Sequence, residues 1–266
     1  MARGSCDAAP YFLALTQTAL SMTAEPYRTR IYRRYVHARE RPLAPLTLAG
    51  LRAREPYLQQ LVQRHFPANK DAVVLDLGCG HGALIHVARK QGYRNLRGID
   101  RSPEQVAAAR RLGIENVIDG DLTEALLAQP DSSLDVVVAF DVIEHFTRDE
   151  LLPFVDEVHR VLKTGGRWII HVPNGESPFG CRMRYWDLTH ELAFTRTSLS
   201  QLLLCSGFRD VHCFEDAPVV HGATSAMRWV LWKCFRGILR LYIAAETGDP
   251  SSSHIFSQNL LAVATK

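Results

Sequence analysis

Short apolar runs alternate with longer segments of helical period along most of this chain. Ala72–Leu77 (AVVLDL), Leu96–Ile99, Asn116–Ile118, Leu134–Phe140 (LDVVVAF) and Arg167–Val172 are brief, rich in β-branched residues and bounded by glycine or polar turns, which predicts strands. Ala83–Gln91, the segment opened by Pro103, Leu122–Ala128 and Leu151–Leu162 carry apolar positions at helical spacing. Ser102 reads as a cap and Pro103 takes the first helical position, where its missing N–H costs nothing. Leu134–Phe140 is apolar on both faces, as a central parallel strand is. Strands alternating with helices predict an α/β fold, with a mostly parallel sheet and helices on both faces.

The flanks differ from this alternation. Residues 1–70 read as an N-terminal helical cap, with Leu48, Leu51, Tyr57, Leu58, Leu61 and Val62 at helical spacing. Pro56 either kinks that stretch or opens a second helix. Residues 71–266 form the main domain. Within it, 173–194 is a polar, proline- and glycine-bearing loop of the kind that often carries function. Leu199–Cys205 predicts a helix, Phe208–Phe214 and Asn259–Ala264 two strands. Residues 217–256 read as an insertion over the substrate, dominated by one helix near 224–245.

Composition narrows the class. The 266 residues are 47% hydrophobic and 22% charged, ordinary for a globular domain. A chain this long buries a core without disulfides or a structural metal. Net charge is +3, from 31 basic and 28 acidic residues, too balanced to indicate nucleic acid. Residues 28–42 nevertheless hold six Arg and one Glu, either a solvated helix face or a patch for an anionic substrate or membrane surface. Cys6, Cys79, Cys181, Cys205, Cys213 and Cys234 form no CxxC pair and no zinc-site spacing, so we read them as reduced thiols of a cytoplasmic protein. Thr16, Gln17 and Thr18 interrupt the apolar run Tyr11–Leu15, which argues against a secretory signal. No apolar stretch is long enough for a transmembrane helix.

The chemistry concentrates at strand ends. Val74-Leu75-Asp76-Leu77-Gly78-Cys79-Gly80-His81-Gly82 follows the first strand and opens a helix, and a glycine turn there admits a ligand to the backbone. Gly78, Gly80 and Ala83 also satisfy a dinucleotide fingerprint. Charge separates the readings. Asp76, just before the glycines, suits a ligand carrying an ammonium better than a pyrophosphate. Asp100 ends the second strand, 18 residues after Gly82, where an acid can accept both ribose hydroxyls. Asp121 follows the third strand and can accept from an adenine amino group.

In combination, VVLDLGCGHG (73–82), GID (98–100), DGDL (119–122), FDVIEHF (140–146) and LKTGGRWIIHVPN (162–174) resemble the class I S-adenosylmethionine-dependent methyltransferases. The resemblance implies a Rossmann-like seven-stranded sheet whose last strand is antiparallel. It implies S-adenosyl-L-methionine as cofactor. Asp76 and the Gly78, Cys79 and Gly80 backbone would hold the methionine end, and Asp100 with its neighbour Arg101 the ribose. Asp121 and Leu122 would flank the adenine, and Phe140 and Asp141 the sulfonium.

Transfer of an activated methyl needs an aligned nucleophile, and a hydroxyl benefits from a general base. His145, after the fourth strand, and His190, in the polar loop, are the candidates, with no metal required. His171 ends the fifth strand and can point into the sheet. RYWDLTHELAFTRTSLSQLLLCSGF (184–208) resembles a bacterial subgroup associated with O-methylation of surface glycans and other small molecules. That implies a sugar hydroxyl acceptor, on a lipid-linked or nucleotide-linked glycan, met by Arg184, Tyr185, His190 and His221. The helix near 224–245 is amphipathic and basic, with Trp229 and Trp232. It either packs over the acceptor site, forms a homodimer interface or touches a membrane peripherally.

Three other readings stand beside this one. A quinone or lipid phenol is a second acceptor class. A nicotinamide-dependent oxidoreductase would need Asp76 and Asp121 to lack their roles. A non-catalytic cofactor-binding regulator would keep the same motifs. Nucleic-acid methylation is disfavoured, because Phe140-Asp141-Val142-Ile143 lacks the turn that stacks a flipped base. Protein arginine methylation is disfavoured too, because the expected pair of acids is missing.

Overall fold

Strand Leu134–Phe140 lies at the centre of the sheet, and its alternation decides the layers. Val136 and Val138 face one helical layer, Val137 and Ala139 the other, and all four are fully buried. The computed structural model describes residues 27–35, 44–249 and 253–266. Cys6, the Tyr11–Leu15 run and positions 36–42 of the basic segment lie outside the described residues.

The strands are β1 (Val74–Leu77), β2 (Leu96–Asp100), β3 (Val117–Asp119), β4 (Leu134–Phe140), β5 (Leu162–Pro173), β6 (Arg209–Glu215) and β7 (Asn259–Thr265). They form one seven-stranded sheet in the order β3-β2-β1-β4-β5-β7-β6. β7 runs antiparallel to both neighbours, and the other pairings are parallel. The expected α/β architecture with an antiparallel last strand is therefore present.

The helices in chain order are α1 (Tyr27–Tyr32), α2 (Glu55–His65), α3 (Ala83–Lys90), α4 (Pro103–Arg111), α5 (Leu122–Leu127), α6 (Arg148–Val161), α7 (Gly180–Arg184), α8 (Arg196–Cys205) and α9 (Ala223–Thr247). Residues of α2, α3 and α4 pack on one face of the sheet, and residues of α5, α6 and α8 on the other. Ser102 caps α4 as the sequence predicts, accepting the Gln105 amide. Pro56 opens α2 rather than kinking it, because a two-turn 3-10 helix (Leu48–Ala53) ends just before.

Some boundaries move. β3 sits one residue later than expected. β5 starts at Leu162 rather than Arg167, because Leu162 already pairs with Leu134 before an irregularity in the register. The polar segment 173–194 is loop except for α7. α9 is the expected long helix, but none of its described residues lines the large cavity below. The described residues of 217–256 thus stand apart from that cavity. The apolar face of α9, with Met227, Leu231, Phe235, Ile238, Leu241 and Tyr242, is exposed instead. Among the described residues, no helix is long and apolar enough to cross a membrane, and the five described cysteines are free thiols.

Candidate active site

Strand order reverses between β1 and β4, and the crevice beyond their carboxyl ends is where such sheets take ligands. A cavity of about 950 Å³ opens there. Asp76, Gly78, Cys79, Gly80, Asp100, Arg101, Asp121, Leu122, Phe140 and Asp141 all line it, as do His145 and His190.

The glycine loop is shaped by close approach. Gly78 has φ +68°, and a Cβ there would meet Val142 Cγ2 at 2.5 Å, so this turn packs directly on the turn after β4. Asp100 braces the same loop. Its Oδ2 accepts the Gly80 amide at 2.7 Å and its Oδ1 the Ser102 amide at 2.9 Å. Asp121 caps α5, accepting from Thr123 and Glu124, and pairs with Arg101 at 3.1 Å. Asp76 differs from both. It is buried, and no hydrogen bond or ion pair reaches it among the described residues. Burial first, and the Asp100 carboxylate second, push its pKa up to about 8. A buried acid in that position calls for a cationic ligand group.

Beside this loop, after β4, the chain turns sharply. Asp141 sits at φ +54°, a strained conformation of the kind found at functional sites. Its carboxylate holds His171 Nδ1 at 2.7 Å, while Asp216 lies 3.3 Å from Nε2. Burial alone would depress His171, but the two carboxylates override it and raise its pKa to about 10. His171 is thus an imidazolium clamped between β4 and the chain after β6. Its raised pKa contributes stability that is complete below about 6.5 and fades as pH rises towards 10. Over that window the melting temperature of the wild type should fall by about 3–5 °C per pH unit relative to His171→Gln. Parallel slopes for the two proteins would refute the clamp.

His145 and His190 meet edge to face, with ring centres 4.7 Å apart. Thr189 Oγ1 donates to Asp187 Oδ1 at 2.7 Å, so it accepts from His145 Nδ1 at 2.9 Å. His190 Nδ1 donates to the Met183 carbonyl at 3.0 Å. Both rings therefore turn an unprotonated Nε2 away from these partners. Burial, aided by His190, pushes the His145 pKa down to about 4. Burial lowers that of His190 as well.

Three of the expected acceptor residues lie away from this cavity. Arg184 donates to the carbonyls of His190 and Glu191, which fixes the loop, and it does not line the cavity. Tyr185 points to solvent, 76% exposed. His221 lies by a smaller pocket with Tyr57, Asp216 and Arg228. Arg28, from the basic segment that offered a patch for an anionic substrate, lines the cavity, and so do Tyr32, Tyr35 and Trp186, which the sequence did not single out as substrate residues. Arg28 is anchored by Glu150 at 2.8 Å and Glu191 at 3.2 Å, and Tyr35 donates to Asp187 at 2.6 Å.

A doubly wound sheet with acids at three successive strand ends defines an adenosine-binding α/β enzyme. Residues 51–213 match the family described as methyltransferase domain, and the chain belongs to the class I S-adenosylmethionine-dependent methyltransferases. It is 38% identical to the ajmaline N-methyltransferase of Rauvolfia serpentina over 42% of this chain and 40% of that one. It is 31% identical to the ubiquinone biosynthesis O-methyltransferase of Xylella fastidiosa over 47% of this chain and 50% of that one. The chain thus spans half or less of the length of these curated relatives. A methyltransferase structure from Archaeoglobus fulgidus shares the fold, with a TM-score of 0.61 at 20% identity, over 91% of this chain and 100% of that one.

S-adenosylmethionine fits the donor set. Asp76 lacks a cation, Asp100 keeps acceptor capacity beyond its two amide bonds, and the loop at Gly78 and Gly80 exposes backbone.

Proposed function

We propose that this enzyme methylates a hydroxyl oxygen of a small-molecule acceptor, a sugar hydroxyl of a bacterial glycan or glycolipid. The observation that supports this reading is the His145–His190 pair, two neutral imidazoles that share the wall of the cofactor cavity and keep an unprotonated Nε2 each. Asp76 and the Gly78–Gly80 backbone hold the methionine end of the cofactor, Asp100 and Arg101 the ribose, and Asp121 and Leu122 the adenine. Phe140 and Asp141 flank the reacting centre. The bound cofactor supplies a methyl carbon already activated by its sulfonium. The chain's task is then to place the acceptor oxygen about 3–3.5 Å from that carbon, with the histidine pair assisting its deprotonation. Tyr32, Tyr35 and Trp186 offer flat faces and Arg28 a charge, a mixture that suits a sugar or its phosphate. The enzyme acts in the cytoplasm and binds no nucleic acid.

The exposed apolar face of α9 favours a second reading. A lipid-borne acceptor, a quinol or other lipid phenol, would be reached by an enzyme lying peripherally on a membrane. The same face would otherwise pair two copies of the chain.

Incubation with radiolabelled cofactor and a panel of free sugars, nucleotide-linked sugars, quinols and primary amines separates these. Label in a sugar ether supports the glycan reading. Label in the quinol alone moves the acceptor to the lipid class, and label in the amine alone overturns the oxygen nucleophile.

A further inference from the structure

Glu144 is fully buried, and neither of its carboxylate oxygens has a hydrogen-bond partner among the described residues. An unpartnered carboxylate in an apolar setting is costly, and burial first, then Asp141, raises its pKa well above the usual range. Its nearest polar neighbours are the two histidines described above. Glu144 Oε1 lies 3.9 Å from His190 Nε2. One ligand atom each from Glu144, His145 and His190 falls within 4.8 Å of the others.

We infer that Glu144, His145 and His190 form a binding site for a divalent first-row transition-metal ion. The tautomers fit this role. Each Nδ1–H is already engaged, by Thr189 or by the Met183 carbonyl, so each Nε2 is a free lone pair. The Asp187–Thr189–His145 relay and the Met183 carbonyl are the outer partners that orient metal-bound imidazoles and raise their basicity. Two imidazoles and one carboxylate suit zinc, iron, manganese or cobalt better than magnesium, which prefers an all-oxygen shell. Ligands bound at about 2.1 Å in a tetrahedron lie about 3.4 Å apart. The three groups therefore need to close by roughly an ångström, which the 3-10 turn Ile143–His145 and the loop holding His190 can supply. Three protein ligands leave at least one position for another ligand, and two of the three, His145 and His190, line the cavity.

The site rests on the hydroxyl reading above and specifies how the oxygen is activated, in place of the expectation that no metal is required. The acceptor oxygen fills the open position, and the ion's charge lowers its pKa. Its proton leaves to solvent. As the oxygen–methyl bond forms, the carbon–sulfur bond breaks and its electron pair stays on sulfur. No electron is exchanged with the metal.

The test needs no acceptor. The full chain, with S-adenosylhomocysteine bound, is titrated with cobalt(II) and followed by visible d–d absorption and calorimetry. One equivalent should bind and be displaced by zinc but not by equimolar magnesium. Glu144→Gln and His190→Asn should each weaken cobalt at least tenfold, while His221→Asn should not. Both site variants should keep their S-adenosylhomocysteine affinity, which shows that they fold. Absence of saturable one-to-one binding, or variants that bind cobalt as the wild type does, overturns the site. Failure of S-adenosylhomocysteine to bind would overturn the methyltransferase reading of the cavity instead, and the cobalt spectrum would still decide the metal.

Discussion

Asp76→Asn should stabilise the ligand-free protein and weaken cofactor binding, and the two effects share one cause. Asp76 is buried beside Asp100 with no cation near it, so folding lifts its pKa from about 4 to about 8. An acid raised on folding supports the fold below its unfolded pKa and loses that support as pH climbs. At pH 7.5 the wild type therefore bears most of the penalty, and the asparagine variant bears none. Its melting temperature should exceed the wild type's by at least about 5 °C at pH 7.5, and the difference should vanish near pH 4. Binding moves the other way. A ligand ammonium that meets a carboxylate in the wild type meets only an amide in the variant, and losing such a charge-assisted hydrogen bond costs about 1.5–3 kcal/mol. Affinity for S-adenosylhomocysteine, measured by calorimetry, should drop roughly tenfold to a hundredfold. Wild-type binding should also release a proton, because the ligand restores the charge on Asp76. A variant that melts lower and binds equally well would place the ammonium elsewhere.

The parts of the site that were legible in the sequence are local. Asp76, Asp100 and Asp121 each stand at the end of a short apolar run, and the period of the chain puts those ends on one edge of a parallel sheet. Gly78 and Gly80 announce a turn by their type. The missed parts are joined by contacts across the chain. Arg28 reaches Glu150, and Tyr35 reaches Asp187, from an N-terminal segment whose arginines read equally well as a solvated face. His171 was visible as a polar residue in an apolar strand, but its second partner, Asp216, comes from beyond β6. Glu144 left a signal: an acid inside Val142–Phe146 is out of place in a buried turn. Beside His145 it reads as half of an acid-plus-histidine pair after the fourth strand, the feature behind the quinone alternative, and its burial without a partner is not visible in the sequence. Arg184 and His221 show the opposite case. Polar residues in a loop or insertion looked available for substrate, and the fold turned one to backbone carbonyls and the other to a separate pocket.

The pH dependence of turnover bears on the histidine pair directly. An exposed histidine titrates near 6.5, and an enzyme relying on one loses activity as pH falls through that value. His145 is buried and its pKa is pushed down to about 4, and His190 is lowered too. His145 therefore stays neutral well below 6.5, and His190 loses its charge at a lower pH than an exposed histidine does. Once an acceptor is in hand, the acid limb of the wild-type rate at saturating substrate should lie below the 6.5 of an exposed histidine, and the part that depends on His145 should fall only below about pH 5. This shape holds whether the imidazoles take the proton themselves or hold a metal ion, because either role needs an unprotonated Nε2. His145→Gln and His190→Gln remove that nitrogen and should each lower turnover at least tenfold, by the usual general-base contribution. If the variants keep the wild-type rate, the acceptor oxygen is activated elsewhere. An acid limb centred near pH 6.5 that survives in both variants would point to a different, solvent-exposed base.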